Sequence, residues 1–547
     1  MKRLRQLLDA AMPGPSEITA YVEEASRISR DILEPLDRTI DEEGCTLVNG
    51  RVRLPQDFHR AWTLFREGGW LGVDVREELG GSGLPTAVAI AVQEMFDRGS
   101  TSFGMAPGAS RAAIGVIDRF ADSSVAKEWI PNLVSGDWTC TIAISEPDAG
   151  SDIGRLKTAA RWNGETWQIT GEKLWTSYGD HDLGKRIGHL VLARTQPEDV
   201  GISGLSLFLV PDVFGNGKKN SVWVRGLERK LGLHGSPTCA MGFEDAQGQL
   251  IGEKGRGLQQ LFSMIVAMRL QVGSQGVAIA TSCFEVALDF ACERRQGGPA
   301  EFPPVAIVSH PDVQLMLAAM ASRIVTMRGL VNSAAVANDL VNLETDQAAR
   351  DSSRSLREWL LPIIKNGAAE LAFETASEAV LVLGGAGYTK DWPIERHLRN
   401  SRVLAVYEGT TGMQAQDLVR RRWIPVNCGY EQFVRLLEAE CQQASPEASP
   451  QLHLALNTMQ EITTWLRDPA NSPRVIASAS RAALALATEV AQTWIASRLV
   501  RFSSEPSIVK AAEHALYRFN ERGEALKNAI YGADRKTALL AGLTGNA

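Results

Sequence analysis

Apolar side chains recur at spacings of three and four along Glu17 to Leu36, Pro55 to Glu67 and Pro85 to Arg98, as they do in helices with one buried face. Residues 1–136 are therefore expected to form a helical N-terminal domain. The glycine-rich stretch Glu78-Leu79-Gly80-Gly81-Ser82-Gly83-Leu84-Pro85 reads as a loop between two of its helices. From about Asp137 the period shortens. Trp138 to Ile144, Thr158 to Trp162, Thr166 to Thr170, His189 to Thr195, Leu205 to Val210 and Val222 to Leu227 are β-prone runs bounded by turn residues. Asn163-Gly164, between two of these runs, is a type I′ hairpin signal. A β domain over 137–252 follows.

After Gly252 the helical period returns. Gly257 to Arg295, Pro311 to Asn342 and Ser353 to Leu383 are long, alanine-rich and amphipathic, and Gly384-Gly385 closes the third. A further helix starts near Thr410 or Thr411, either of which can cap it. These helices predict a four-helix bundle over 253–425. Beyond Trp423-Ile424-Pro425 come Glu431 to Ala444, Gln451 to Arg467, Arg474 to Phe502 and Ser507 to Ala533. They are read as an additional helical domain, 426–547, for packing or assembly. The fold class is thus multidomain α+β: a helical domain, a β domain, a four-helix bundle and extra C-terminal helices.

Bulk properties narrow the functions open to this chain. It has 547 residues, 44% of them apolar, enough for several cores. A net charge of −7 without a long basic run disfavours general nucleic-acid binding. The 7 cysteines are scattered without metal-ligand spacing, which fits reduced thiols in a cytoplasmic protein and no metal site. Asp9 and Pro13-Gly14-Pro15 interrupt the N-terminal apolar residues, so no signal peptide is expected. Uncharged stretches such as Leu270 to Phe284 contain Gly, Ser, Thr and Gln, so no transmembrane segment is expected.

The candidate chemistry centres on Glu408 in Val403-Leu404-Ala405-Val406-Tyr407-Glu408-Gly409-Thr410. A lone carboxylate before a helix can simply complement the helix dipole. It can also act as a base, and Gly409 beside it would let a ligand approach the backbone. Two more motifs bear on the choice: Ala143-Ile144-Ser145-Glu146-Pro147-Asp148-Ala149-Gly150-Ser151-Asp152 and Gly171-Glu172-Lys173-Leu174-Trp175-Thr176-Ser177. With Tyr407-Glu408-Gly409-Thr410 they resemble the T-E-P-x-A-G-S-D loop, the G-x-K-x-W-I-T strand and the catalytic segment of the acyl-CoA dehydrogenase family, over about residues 20–423. Gly179-Asp180-His181-Asp182-Leu183, Glu43-Gly44-Cys45 and Glu408-Gly409-Thr410-Thr411-Gly412 resemble the branch typified by 3-methylthiopropanoyl-CoA dehydrogenase, whose members also extend past the bundle.

The resemblance implies FAD as cofactor and Glu408 as the catalytic base. Glu408 would take the α-proton of an acyl-CoA while flavin N5 takes the β-hydride, giving the 2,3-enoyl-CoA. It implies flavin contacts from Ile142, Ile144, Ser145, Ser151, Trp175, Ser177, Arg294, Gln296, Leu381, Gly384, Gly385 and Thr410, and substrate contacts from Ser151, Arg269, Glu408 and Gly409. Arg294 matches an arginine reaching the flavin of a neighbouring subunit, so a homodimer or homotetramer is implied. Electron-transfer flavoprotein is the implied acceptor. Departures stand out. Gln296-Gly297-Gly298 lacks the usual aromatic residue, Leu381 replaces a glutamine, Pro311 follows His310 where glutamine is common, and Asn400 replaces an aspartate. Asp180 and His181 are read as shaping a loop, and His310 as setting a helix entry. The alternatives are a dehydrogenase or oxidase acting on a carrier-protein thioester, and a non-catalytic flavin-binding relative that binds DNA.

Overall fold

A computed structural model describes residues 15–195 and 201–544. The N-terminal residues on which the absence of a signal peptide was read, up to residue 14, lie outside the described residues. The chain divides into two compact units, Met1–Gln271 and Val272–Ala547. The expected helical and β domains belong to the first; nearly all of the expected bundle, and all of the extra helical domain, belong to the second. The multidomain α+β class is the one observed.

The first unit opens with α1 (Pro15–Ile28), a π-helical turn (Ser29–Leu33) and α2 (Glu34–Glu43). A hairpin of β1 (Thr46–Val48) and β2 (Arg51–Arg53) follows. Next come α3 (Gln56–Glu67), α4 (Thr86–Gly99), α5 (Thr101–Phe120) and α6 (Ser123–Val134). The apolar stripes of these helices meet in an aromatic core, with Phe65 centred 4.4 Å from Phe96 and 4.6 Å from Phe103. Ser100 joins α4 to α5. It caps α5 by accepting from the Phe103 N–H and donates to Asp37 at 2.6 Å.

The β domain comprises β3 (Trp138–Ala143), β4 (Ala159–Trp162), β5 (Trp167–Ser177), β6 (Arg186–Arg194), β7 (Leu205–Pro211), β8 (Val222–Leu227) and β9 (Thr238–Ile251). Pairing runs β6–β4–β5–β9–β7 and returns to β6, so these strands close on themselves, with β3 joined to β6 and β8 to β9. Trp167, Ile169, Val191, Phe208, Val210, Met241 and Phe243 fill the interior. The Asn163-Gly164 hairpin forms, but not as a type I′ turn. Trp162 pairs with Trp167 across a longer loop, and Asn163 does not adopt positive φ. Its side chain instead accepts from the Glu165 and Thr166 N–H groups at 3.0 and 2.8 Å, holding a turn that needs no left-handed asparagine.

Helix α7 (Gly257–Glu293) begins in the first unit and continues into the second. By length and composition it is the one helix among the described residues apolar enough to cross a membrane, and 56% of its apolar window is buried inside the protein, as for a core helix. The second unit continues with α8 (Pro311–Leu343), α9 (Gln347–Leu383), α10 (Ile394–Ser401) and α11 (Thr411–Asp417). The fourth bundle helix is short: α11 has 7 residues and continues as a π-helical run, Leu418–Trp423. The C-terminal patterns appear as α12 (Gly429–Cys441), α13 (Ser449–Leu466), α14 (Pro473–Phe502), α15 (Pro506–Tyr531) and α16 (Ala533–Thr544). Helices α14 and α15 pack against α8. A Cβ on Gly329 of α8 would lie 2.5 Å from Ile495 of α14, so this pair of helices meets almost backbone to side chain.

Candidate active site

The segment before Glu408 is a 3₁₀ turn, Arg402–Ala405, and not an extended run. Glu408 then adopts φ +54° and Gly409 φ +92°. Left-handed backbone at a glutamate costs roughly 1–3 kcal/mol, and such strain persists only where surrounding contacts over-determine it. Here both carbonyls of the turn are held. The buried Gln414 side chain donates to the Glu408 carbonyl at 2.8 Å, and the buried Lys365 ammonium of α9 donates to the Gly409 carbonyl at 2.6 Å. The Tyr407 hydroxyl donates to Gln275 of α7. Thr410, one of the two expected caps, accepts from Met413 N–H at 3.4 Å, and Thr411 instead donates to Glu370 at 3.3 Å. The result is a half-buried carboxylate on a fixed turn at a helix N-terminus.

In the first unit the loop after β3 is built around a buried ion pair. Lys173 of β5 is fully buried. Its Nζ lies 2.8 Å from Glu146 Oε1 and 2.9 Å from the Ile144 carbonyl. Glu146 also accepts from the Lys157 and Thr158 N–H groups at 2.6 and 3.0 Å. Burial alone would raise the Glu146 carboxyl, but the Lys173 charge and these donors hold it below its ordinary range. Burial pushes the Lys173 ammonium down to about 8, against the pull of Glu146. The Leu174 N–H donates to Ser145 O at 2.8 Å, tying the loop to β5. A bulge between Lys173 and Thr176 puts Trp175 at φ +61° with its indole 60% exposed. Bulges of this kind re-aim side chains.

The sequence-assigned flavin residues of the first unit fall on this loop and on the end of β5, and they share accessibility. Ile142, Ile144, Ser145 and Ser177 are half-buried, and Ser151 and Trp175 are exposed, while Ala143, Glu146, Lys173 and Thr176 between them are buried. The hydroxyls of Ser145, Ser151 and Ser177 make no hydrogen bond within the described residues. Open hydroxyls beside an exposed indole suit a planar, polar-edged group such as a flavin. Asp180 and His181 do shape a loop: Asp180 accepts from the Val52 N–H at 2.6 Å and pairs with Arg51, and Asp182 pairs with Arg53 and His59. Together they pin the β1–β2 hairpin. The buried His181 accepts from the Leu183 N–H at Nδ1, leaving Nε2 to donate to Thr139 Oγ1 at 2.9 Å.

The remaining assigned residues of the second unit lie away from the Glu408 turn in sequence. Arg294 follows the last residue of α7; it is exposed, and its guanidinium has no partner among the described residues. The Gln296 carbonyl accepts from His310 Nε2 at 2.9 Å, so His310 holds that loop as well as preceding α8. Leu381, Gly384 and Gly385 are exposed at the end of α9, and a Cβ on either glycine would meet nothing within 4 Å. Trp392, beyond them, stacks edge-on against Phe290 of α7 at 5.3 Å. Arg269 is half-buried on α7, two residues before the division between the units. Sequence reasoning missed the roles of Lys365 and Gln414. Lys365 carried a signal, a charge directly after the apolar run Trp359 to Ile364, whereas Gln414 sits in a mixed polar segment and carried none.

Three family models match in chain order: the acyl-CoA dehydrogenase N-terminal domain over 16–137, middle domain over 141–246 and C-terminal domain over 255–422. The chain belongs to the acyl-CoA dehydrogenase family, oxidoreductases that act on CH–CH bonds. It is 36% identical over 412 residues to 3-methylmercaptopropionyl-CoA dehydrogenase of Ruegeria pomeroyi, covering 74% of this chain and 70% of that protein. Among solved structures, Caenorhabditis elegans ACDH-11 in complex with C11-CoA is similar with a TM-score of 0.81 at 19% identity, covering 94% of this chain and 89% of that one. An acyl-CoA dehydrogenase from Bacillus anthracis complexed with FAD is similar with a TM-score of 0.78 at 20% identity, covering 97% and 89%. At that coverage the likeness in fold extends into the helices beyond residue 422.

Proposed function

We propose that the chain catalyses α,β-dehydrogenation of an acyl-CoA thioester to the 2,3-enoyl-CoA, with Glu408 as base. The observation that carries this reading is the left-handed Glu408 turn, with both of its carbonyls held from buried side chains. Strain at a single carboxylate, in a segment matching the family's catalytic motif, has a use if that carboxylate must meet a reacting carbon at a set angle. FAD is the cofactor, and when bound it accepts the β-hydride at N5. Ile142, Ile144, Ser145, Ser151, Trp175 and Ser177 are assigned to hold it, together with Arg294, Gln296, Leu381, Gly384, Gly385 and Thr410. Glu408 removes the α-proton. Its backbone N–H supports the thioester oxygen as negative charge develops there. Arg269 and Ser151 are assigned to the substrate, Arg294 to a second copy's cofactor in a homodimer or homotetramer, and electron-transfer flavoprotein to reoxidation.

The relative at 36% identity makes 3-methylmercaptopropionyl-CoA the first substrate to try. The DNA-binding alternative is weakened in the C-terminal helices, where five of the basic residues are turned onto acidic partners. Arg498 and Arg501 pair with Glu440, Arg518 and Arg522 with Glu489, and Lys527 with Glu461. The test is anaerobic mixing of the flavin-loaded protein with a panel of acyl-CoAs, beside Glu408→Gln. Rapid bleaching of the flavin by one chain class, lost in the variant with flavin still bound, is expected. A flavin-loaded wild type that no acyl-CoA bleaches would sink the assignment.

A further inference from the structure

We infer that Lys365 is a positioning residue for the base, an assignment that rests on Glu408 being that base. Lys365 lies in α9 among buried Trp359, Leu360, Leu361, Ile363 and Ile364, where another aliphatic side chain would pack. A lysine ammonium is costly to take out of water and is retained where its hydrogen bonds compensate. At 0% exposure, Lys365 places Nζ 2.6 Å from the Gly409 carbonyl oxygen. Gln414, also at 0% exposure, takes the Glu408 carbonyl from the other direction.

These two donors fix the peptide planes on either side of Gly409. They therefore fix left-handed Gly409 and one of the two peptide planes that flank left-handed Glu408, and so restrain the direction of the Glu408 side chain. The Gln414 amide is turned with its donor toward the turn. Nε2 faces both carbonyls, at 2.8 and 3.5 Å, and Oε1 has no partner among the described residues. Neither side chain belongs to the residues assigned to flavin or acyl-CoA. Without Lys365 the Gly409 carbonyl loses its charged donor. The turn then relaxes toward ordinary backbone, and the carboxylate drifts from the α-carbon while the rest of the site stays in place.

A displacement of about 1 Å costs on the order of 100-fold in rate. Lys365→Met, close to lysine in shape and without a donor, is expected to slow the limiting rate of anaerobic flavin reduction about 10- to 100-fold. Flavin content and the half-saturating acyl-CoA concentration should stay within about twofold, because contacts made equally in ground and transition states are untouched. The isotope effect from α-deuterated acyl-CoA should rise, and that from β-deuterated acyl-CoA should not. Wild-type reduction rates, or slowed rates with an unchanged α-effect, would overturn the inference. If Lys365→Met does not retain flavin, Lys365→Arg decides the matter. It keeps a charged donor, so with flavin bound it must reduce within about tenfold of wild type with the wild-type α-effect. A flavin-loaded arginine protein as inert as Glu408→Gln overturns the inference, and loss of flavin from both variants reduces Lys365 to a structural residue. Failure of the wild type to be bleached at all is a separate result that removes the Glu408 assignment itself.

Discussion

Replacing Lys173 by methionine removes one half of a buried ion pair and leaves the other half in place. Glu146 would remain 7% exposed, still accepting from the Lys157 and Thr158 N–H groups but without its counter-charge. Losing one partner of a buried pair costs about 3–5 kcal/mol, because the surviving charge is uncompensated. With two backbone donors remaining, the lower figure, about 3 kcal/mol, is expected here. The loss should be local, because Lys173 also carries the Ile144 carbonyl and so ties the loop 143–152 to β5. Hydrogen exchange under native conditions reads such a local opening directly. Peptides covering 143–158 should exchange roughly 100-fold faster in Lys173→Met, a factor corresponding to about 3 kcal/mol. Adding Glu146→Gln, which removes the stranded charge, should restore at least about half of the protection. Exchange within about fivefold of wild type in the single variant, or no recovery in the double, would refute the claim that this pair organises the loop.

Burial pushes the His181 imidazolium down to about 3, with the charge on Arg51 acting in the same direction. The folded value lies below the unfolded one, so His181 costs nothing above about pH 6.5 and stability falls as pH drops toward 3; about 1 kcal/mol should be lost between pH 7 and 5.5. Thermal unfolding of His181→Gln over that range should show a shallower pH dependence than wild type, and an equal slope would rule this out. Glu440 of α12 accepts from Ser497 and Arg501 of α14, both at 2.8 Å, with Arg498 at 3.5 Å. Glu440→Gln should cost about 2 kcal/mol, reduced from the fully buried case because the arginines reach solvent, and should deprotect α14 in hydrogen exchange. Unchanged protection there would show that apolar packing alone seats the helix.

Much of the fold was legible because periodicity and burial agree. Strand β8 runs from Val222 to Leu227 as the alternation predicted, and α3 differs from its pattern by one residue. Strand β9 was not legible, although it pairs with β5, β7 and β8. Its Gly242 and Gly248, with Glu244-Asp245 between, read as turn residues. The glycines are there for close approach: a Cβ at Gly248 would lie 2.9 Å from both Ile169 and Val210, and one at Gly242 would strike the Arg225 guanidinium at 2.3 Å. The proposed base, Glu408, was assigned from its motif, but its conformation was not legible. Nothing in Tyr407-Glu408-Gly409 assigns a left-handed φ to a glutamate, and the carbonyls of that turn are held from outside it by Lys365 and Gln414. Lys365 is 43 residues away in sequence, and contacts that distant leave no local pattern.

Gln416 of α11, just past the Glu408 turn, donates to the Ala477 carbonyl of α14 at 3.1 Å. A Cβ on Gly367, two residues from Lys365 on α9, would lie 3.0 Å from Thr488 of α14 and 2.6 Å from Met327 of α8. Helix α14 therefore touches both the helix that follows Glu408 and the helix that carries Lys365. Close-packed interfaces of this kind transmit displacement instead of absorbing it. Residues after the bundle are thus part of the compact unit that holds Glu408, and loosening α14 should be felt at the turn. This separates an architectural role from a docking role for 426–547. A layer used only for docking could be loosened at Glu440 without altering flavin reduction, whereas a layer that braces the turn cannot.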